Sequence, residues 1–423
     1  MSTFDVRPRA ATRGVSAIDD TTTQARGMSR GLVALFAIAT GLAVASDYLA
    51  QPLLATLRTE FGVSSAVAGL IVTVSQIGYA SGLVLLLPLG DLFERRRLIT
   101  TLALITSAGL AAAAVAPSIG FFAAAIGLVG FTSVMAQILV PIAATLALDD
   151  ERGRVVGTIM SGLIMGVLLA RTVSGLVAAV AGWRTVYWVA AALMLALTVV
   201  LHRALPRYRA RIGLSYPRLL ASVLTIAREE PVLRRQAVHG AVSFAAFSAF
   251  WTTLTFLLAG SHYGFSTGII GLFGLVGAAG AMTASIVGRF TDRGWAHRLT
   301  GVTSLLLVAG YLLLWLGATS IAALLAGIVV LDIGCQGLHI TSQSEIYRLK
   351  PQARSRVNAF YMTSRFVGGG AGSAAAAFVY GAFGWSGVCL LGVGFGLAST
   401  LWWAVGLRTR AAPGHWSRTR SAG

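Results

Sequence analysis

The sequence predicts an all-helical membrane protein of twelve transmembrane helices, arranged as two similar six-helix bundles. Three observations carry that prediction. Hydrophobic residues make up 56% of the 423-residue chain and charged residues only 11%, against ~25% charged in a soluble domain. The apolar residues fall in long runs, and a membrane helix needs about 20 of them. The second half of the chain echoes the first at a fixed offset. The same composition excludes a disordered chain, a coiled coil and an ordinary soluble enzyme.

Residues 1–30 are polar, with Arg7, Arg9, Arg13, Asp19, Asp20 and Arg26, and lack the apolar core of a secretory signal. They read as a cytoplasmic tail. Apolar spans follow at 31–57, 65–90, 97–116, 119–148, 155–181 and 184–204, which form the first bundle, 31–204. A basic cytoplasmic linker occupies 205–235. The second bundle, 236–406, holds spans at 236–260, 266–288, 299–316, 320–347, 357–383 and 386–406, and a cytoplasmic tail runs over 407–423. Most loops are too short to do anything but return the chain as an antiparallel hairpin. Spans longer than ~25 residues must tilt or protrude.

The net charge is +18, from 33 basic and 15 acidic residues. All but four of the basic residues (Arg58, Arg171, Arg184 and Arg365) lie in the two tails, the linker, and the loops and flanks after even-numbered spans. That bias places both termini and the linker on the cytoplasmic side of the inner membrane. It explains the basic balance without nucleic acid. Attraction to anionic lipid is a modest further role of these loops.

The repeat is read from paired segments. Phe61-Gly62-Val63-Ser64 is echoed by Tyr263-Gly264-Phe265-Ser266, and Gly69-Leu70 by Gly271-Leu272. Arg152-Gly153-Arg154-Val155 is echoed by Arg354-Ser355-Arg356-Val357, and Gly182-Trp183 by Gly384-Trp385. All four pairs are 202 residues apart, and Asp91 and Asp292 are 201 apart. Six spans is an even number, so the two halves run in the same direction, as in one known transporter plan.

With these features the chain resembles the major facilitator superfamily, from about Gly31 to Leu407. The family's cytoplasmic loop motif is Gly-x-x-x-Asp-Arg-x-Gly-Arg-Arg. Gly288-Arg289-Phe290-Thr291-Asp292-Arg293-Gly294 matches its start, and Leu87 to Arg96 keeps Asp91 and the basic pair Arg95 and Arg96. The resemblance implies the major facilitator fold, a monomer, and a cytoplasmic gate built from Asp91, Arg95, Arg96, Gly288, Asp292 and Arg293. The end of span five is similar to the drug–proton antiporter branch, which carries Gly-Pro-x-x-Gly-Gly; here the segment reads Ala170-Arg171-Thr172-Val173-Ser174-Gly175, with Arg171 in the proline position. Gln51-Pro52-Leu53-Leu54 looks like a bacterial efflux subgroup.

Ionisable groups at bilayer depth are tolerated when they face a partner or a cavity. Asp47, Arg171, Asp332, His339 and Arg365 are such groups. Asp47, Arg171 and Asp332 share a depth of ~22–24 Å from the cytoplasmic edge at 1.5 Å per residue. Asp47 and Arg171 are expected to form a gating or coupling pair, and Arg365 is expected to pair with Glu345. Asp332 has no arginine within its own span and is the first candidate for proton carrier. Asp332, Gln336, His339 and Gln343 fall on one face of span ten. The resemblance puts spans one, four, seven and ten around a central cavity. Tyr48 and Gln51 of span one, Gln137 of span four, and Trp251 and Thr255 of span seven then join Gln336, His339 and Gln343 as its candidate lining. Such a lining suits a small amphipathic or polar organic solute.

The two cysteines, Cys335 and Cys389, sit in apolar runs and suggest neither a disulfide framework nor a zinc site. The sequence contains no Gly-x-x-x-x-Gly-Lys-Ser/Thr phosphate loop, no His-Glu-x-x-His and no nucleophile–base set. No cofactor, no metal and no enzyme activity is therefore expected. The expected function is proton-coupled efflux of a small organic solute by alternating access. The alternatives are proton–solute symport for uptake, an intramembrane enzyme, or a non-transporting membrane sensor.

Overall fold

The structure is a computed structural model that describes residues 28–148, 150–205, 215–277, 287–350 and 353–411. No strand occurs among the described residues. Span one is the helix Arg30–Tyr48, a 3-10 turn Gln51–Leu53 and a short helix Leu54–Glu60. The sequence predicts one uninterrupted helix here. Pro52 breaks it, because proline has no N–H for the helical ladder and its ring clashes with the preceding turn. Span two is Ser65–Leu85 and span three Arg95–Ala114. Span four is split into Ile119–Ser133 and Met135–Leu146. Spans five and six are Arg152–Ala181 and Trp183–Ala204.

The predicted linker contains a helix, Tyr216–Glu229, that the charge pattern did not reveal. It buries Leu219, Ile226 and Ala227, and the Tyr216 hydroxyl donates to the Leu85 carbonyl at the end of span two (2.9 Å). Span seven then begins at Pro231, five residues before the predicted start, and runs to Leu258. Span eight is described as Thr267–Val276 and again at 287–290. Span nine is Ala296–Leu316 and span ten Ile321–Ile346. Spans eleven and twelve form one helical run, Arg354–Ala411, interrupted at Gly384. Ten described helices are long and apolar enough to cross a membrane. One of them holds spans eleven and twelve, and the described part of span eight is shorter, so the twelve-span plan is met.

The repeat in the sequence is a repeat in the backbone. Gly182 and Gly384 close spans five and eleven at φ 83° and 62°, a left-handed region that favours glycine because it has no Cβ. Ser118 and Ser320, also 202 apart, each cap a helix by accepting from the N–H three residues on, both at 3.3 Å. Span one packs on five and three on six; in the second half seven packs on eleven and nine on twelve. One buried core draws on residues between Met28 and Leu205 with Phe256, and another on residues between Ala246 and Cys389. The outward faces of spans six, nine and twelve expose Leu193, Val199, Leu312, Leu316, Leu397 and Leu401. That is the pattern of helices facing lipid rather than water.

The two most extensive contacts between the halves among the described residues are five against eight and two against eleven. Exchange of the two halves interconverts them. At the side away from the linker both are close. A Cβ on Gly175 would lie 2.7 Å from Gly271 Cα, and one on Gly69 would lie 2.5 Å from Ala377 Cβ. Hydrogen bonds cross there as well: Thr172 Oγ1 donates to the Gly271 carbonyl (3.0 Å), and Thr56 and Thr267 share a hydroxyl contact of 3.1 Å. Glycine lets the backbones meet at these distances. The far side is therefore sealed.

Candidate functional site

Beneath that seal, spans one, five, seven and eight line a small cavity with room for about one water molecule. Span one contributes Gln51 and Pro52 to its wall, and span five Arg171. Span seven contributes Trp251, Leu254 and Thr255, and span eight Ile270. The Pro52 break sets the span-one wall: the 3-10 turn delivers Gln51 to the interior, and the Pro52 carbonyl accepts from Thr255 Oγ1 across the two halves (3.3 Å). That space is far less than the ~300–1,000 Å³ of pockets that hold drug-sized ligands, so the site is closed around its own lining.

Arg171 is the centre of the site and is 3% exposed. Its Nε donates to Gln51 Oε1 (2.7 Å) and its Nη1 to the Val167 carbonyl (3.4 Å). The guanidinium carbon lies 4.1 Å from the Trp251 ring centroid, 4.9 Å from Tyr48 and 5.7 Å from Phe247. Aromatic faces attract a cation through the ring quadrupole, and more strongly where water is excluded. Nη2 of Arg171 and Nε2 of Gln51 have no hydrogen-bond partner among the described residues.

The expected pairing of Asp47 with Arg171 is not formed. Asp47 accepts a hydrogen bond from the Ser75 hydroxyl of span two, and its other oxygen has no partner. Equal depth along two helices fixes height but not the direction a side chain leaves the axis. The carboxylate within electrostatic reach of Arg171 is Asp332, which approaches from the other half. Asp332 is 3% exposed, and its Oδ1 has no hydrogen-bond partner among the described residues. Span eight makes room for it: a Cβ on Gly277 would sit 2.7 Å from Asp332 Oδ2 and 3.3 Å from Trp251 Cζ2.

The structure distributes the rest of the polar stripe elsewhere. His339 Nδ1 meets the Tyr361 hydroxyl of span eleven (2.9 Å), and Gln343 Nε2 donates to the Tyr347 hydroxyl (3.4 Å). Gln336 is half-buried. Gln137 Nε2 donates to the Tyr79 hydroxyl (3.4 Å), and the Tyr79 ring stacks on Phe366 at 4.1 Å. This layer lies on the linker side of the cavity, so Gln137, Gln336, His339 and Gln343 are not part of its wall. Arg365 does not pair with Glu345. It lies over the Phe244 ring (4.4 Å) with Nη2 3.8 Å from Cys335 Sγ, while Glu345 binds Gln236 and Arg235.

At the expected cytoplasmic gate, Arg95 Nε donates to the Gly90 carbonyl (3.1 Å), and Arg293 stands 5.7 Å from the Phe290 ring. Arg96 is half-buried, and the surroundings of Gly288 are open. The side chains of Asp91 and Asp292 lie outside the described residues. No cluster of His, Cys, Asp and Glu able to hold a metal occurs among the described residues.

Sequence reasoning missed Ser75, Leu254, Ile270, Gly274 and Gly277. The glycines carried a signal: Gly268, Gly271 and Gly274 recur every three residues and mark the face of span eight that meets span five, and Gly277, three residues further on, meets spans seven and ten. Ser75 carried none.

Comparison with known proteins places this architecture among transporters. The sequence profile of the Major Facilitator Superfamily matches residues 36–348. The chain is 50% identical over 386 residues to the uncharacterised transporter YgaY of Escherichia coli O157:H7, covering 91% of this chain and 98% of that one. It is 35% identical over 363 residues to SCO4007 of Streptomyces coelicolor, covering 85% and 84%. Among solved structures, a bacterial homologue of the human lysosomal transporter Spinster, inward-facing and unoccupied, superposes with a TM-score of 0.71 at 13% identity, covering 90% of this chain and 98% of that one.

Proposed function

The chain belongs to the Major Facilitator Superfamily and is a multi-pass membrane transporter of that type, and on this premise we propose that it moves a small organic solute across the inner membrane by alternating access, coupled to protons. The observation that carries the coupling is Asp332, a buried carboxylate with an unpartnered oxygen beside the cavity and in the half opposite Arg171. A carboxylate that gains and loses a proton there changes the attraction between the two halves.

The two bundles, 31–204 and 236–406, act as the bodies that rock. Five–eight and two–eleven are their hinge-side and gate-side contacts by turns. Both termini and the linker face the cytoplasm, so the sealed far side faces outward. Arg95, Arg96 and Arg293, with Asp91 and Asp292, latch the cytoplasmic side when it closes, and the chain works as a monomer.

The first reading of direction is efflux in exchange for protons, supported by the glycine-rich end of span five. The nearness of Arg171 and Asp332 favours a second, proton–solute symport, because a proton on Asp332 releases Arg171 for the solute. Inside-out vesicles with a pH-sensitive dye test both. In de-energised vesicles, exchange acidifies the medium as solute enters and symport alkalinises it. Asp332→Asn should abolish either signal in folded protein. An unchanged signal in Asp332→Asn would remove Asp332 as carrier.

A further inference from the structure

The groups on the cavity wall that have no hydrogen-bond partner among the described residues are of one chemical kind. Arg171 Nη2, Gln51 Nε2 and Trp251 Nε1 are all donors, and all three side chains are at least nine-tenths buried. The Gln51 amide orientation is fixed by its neighbour, because arginine can only donate and so must meet the amide oxygen. No acidic side chain lines the cavity among the described residues. Buried donors without partners are rare in native proteins and call for an explanation. Here they border a small space whose other walls are the hydroxyl-bearing Thr255 and the apolar Pro52, Leu254 and Ile270.

We propose that this cavity binds the carboxylate of a small amphipathic organic anion, with Arg171 and Gln51 as its ligands. The inference rests on the transport reading and names the substrate class of that same cavity. Arg171 is set for the task before any solute arrives. Its Nε and Nη1 are held by Gln51 and Val167, and its face is held by Trp251 and Tyr48. The remaining Nη2, together with the Gln51 amide, presents two N–H groups to a planar oxyanion. The apolar wall receives the hydrocarbon part. An amine would find no unpartnered acceptor in the lining. Asp332, adjacent to Trp251 and Gly277, is the internal charge with which the incoming carboxylate competes for Arg171.

The test uses the purified full chain in detergent and two matched sets of probes: benzoate, benzamide and benzylamine, then hexanoate, hexanamide and hexylamine. Calorimetry should show carboxylates binding about tenfold or more tightly than their amides and amines. Arg171→Lys and Gln51→Glu should each weaken carboxylate binding about tenfold, with thermal melting as the check on folding. Asp332→Asn should strengthen it several-fold, a gain that a purely structural arginine would not give. The proposal is overturned if no carboxylate binds more tightly than its amide, or if folded Arg171→Lys and Gln51→Glu bind as the wild type does. Should both variants fail to fold, the wild-type probe sets and Asp332→Asn decide it. The transport reading fails separately: carboxylate binding with no flux of any probe into proteoliposomes would sink it and leave the anion site standing. Flux of amines or amides alone would do the reverse.

Discussion

Gly175→Ala tests how the far side is sealed. The added Cβ would lie 2.6 Å from the Thr267 carbonyl oxygen and 2.7 Å from Gly271 Cα. Both obstacles are backbone, so no side chain can swing aside. An ordinary carbon contact needs ~3.5 Å, so spans five and eight must part by about 0.8 Å. That parting stretches the 3.0 Å hydrogen bond from Thr172 to the Gly271 carbonyl beyond useful length. Overpacking of this kind costs ~1–3 kcal/mol. The strain falls on the sealed state alone, because opening the far side separates the two helices. At 1.4 kcal/mol per tenfold, the far-side-open population should rise roughly 5–100-fold. Thr56→Cys, half-buried at the seal, reports it through its labelling rate with a membrane-impermeant maleimide. The native cysteines Cys335 and Cys389 are buried and give little background. Gly153→Ala, with nothing within 4 Å of its added carbon, is the control and should label at the parent rate. Equal labelling of Gly175→Ala and its parent, in folded protein, would refute the reasoning.

Three further variants address the interior. Ser75→Ala removes the hydrogen bond Asp47 receives and leaves that carboxylate without a described partner; a loss of ~1–3 kcal/mol is expected as a lower melting temperature, and an unchanged melt would show the bond to be idle. The double variant Arg171→Met/Asp332→Leu removes both members of the buried charge pair together and should be neutral or stabilising by up to ~4 kcal/mol, whereas marked destabilisation in denaturant would make the pair structural rather than functional. Tyr187 is fully buried with an unpartnered hydroxyl and packs edge-on against Phe122 at 5.2 Å. Tyr187→Phe keeps the ring contact and should melt at or above the wild-type temperature; a clear drop would reveal a partner for the hydroxyl.

What the sequence disclosed follows from the range of the forces involved. Spans are legible because the membrane demands long apolar runs, and the repeat because paired turns such as Gly182 and Gly384 need the same backbone. Arg171, Gln51, Trp251 and Thr255 were legible as site residues because polar or aromatic groups inside such runs stand out. Their partners were not. Asp47 and Arg171 share a height, but the azimuth of each helix depends on packing, and packing sends Asp47 to Ser75 and Arg171 to Gln51 and Trp251. The same reason separates His339 and Gln343 from Asp332: hydroxyl groups of Tyr361 and Tyr347 capture them on the linker side. The linker helix Tyr216–Glu229 was hidden by its charges, although Leu219, Ile226 and Ala227 supply its buried face.

The most direct test of proton-coupled transport centred on Asp332 measures solute and proton flux together in proteoliposomes. Purified wild type and Asp332→Asn would be compared with the same carboxylate probes and a trapped pH dye. The account predicts solute-dependent proton movement in the wild type. In Asp332→Asn that movement is lost, while counterflow of labelled solute persists. An equal ratio of proton to solute flux in both proteins, or no flux of any probe in the wild type, would contradict it.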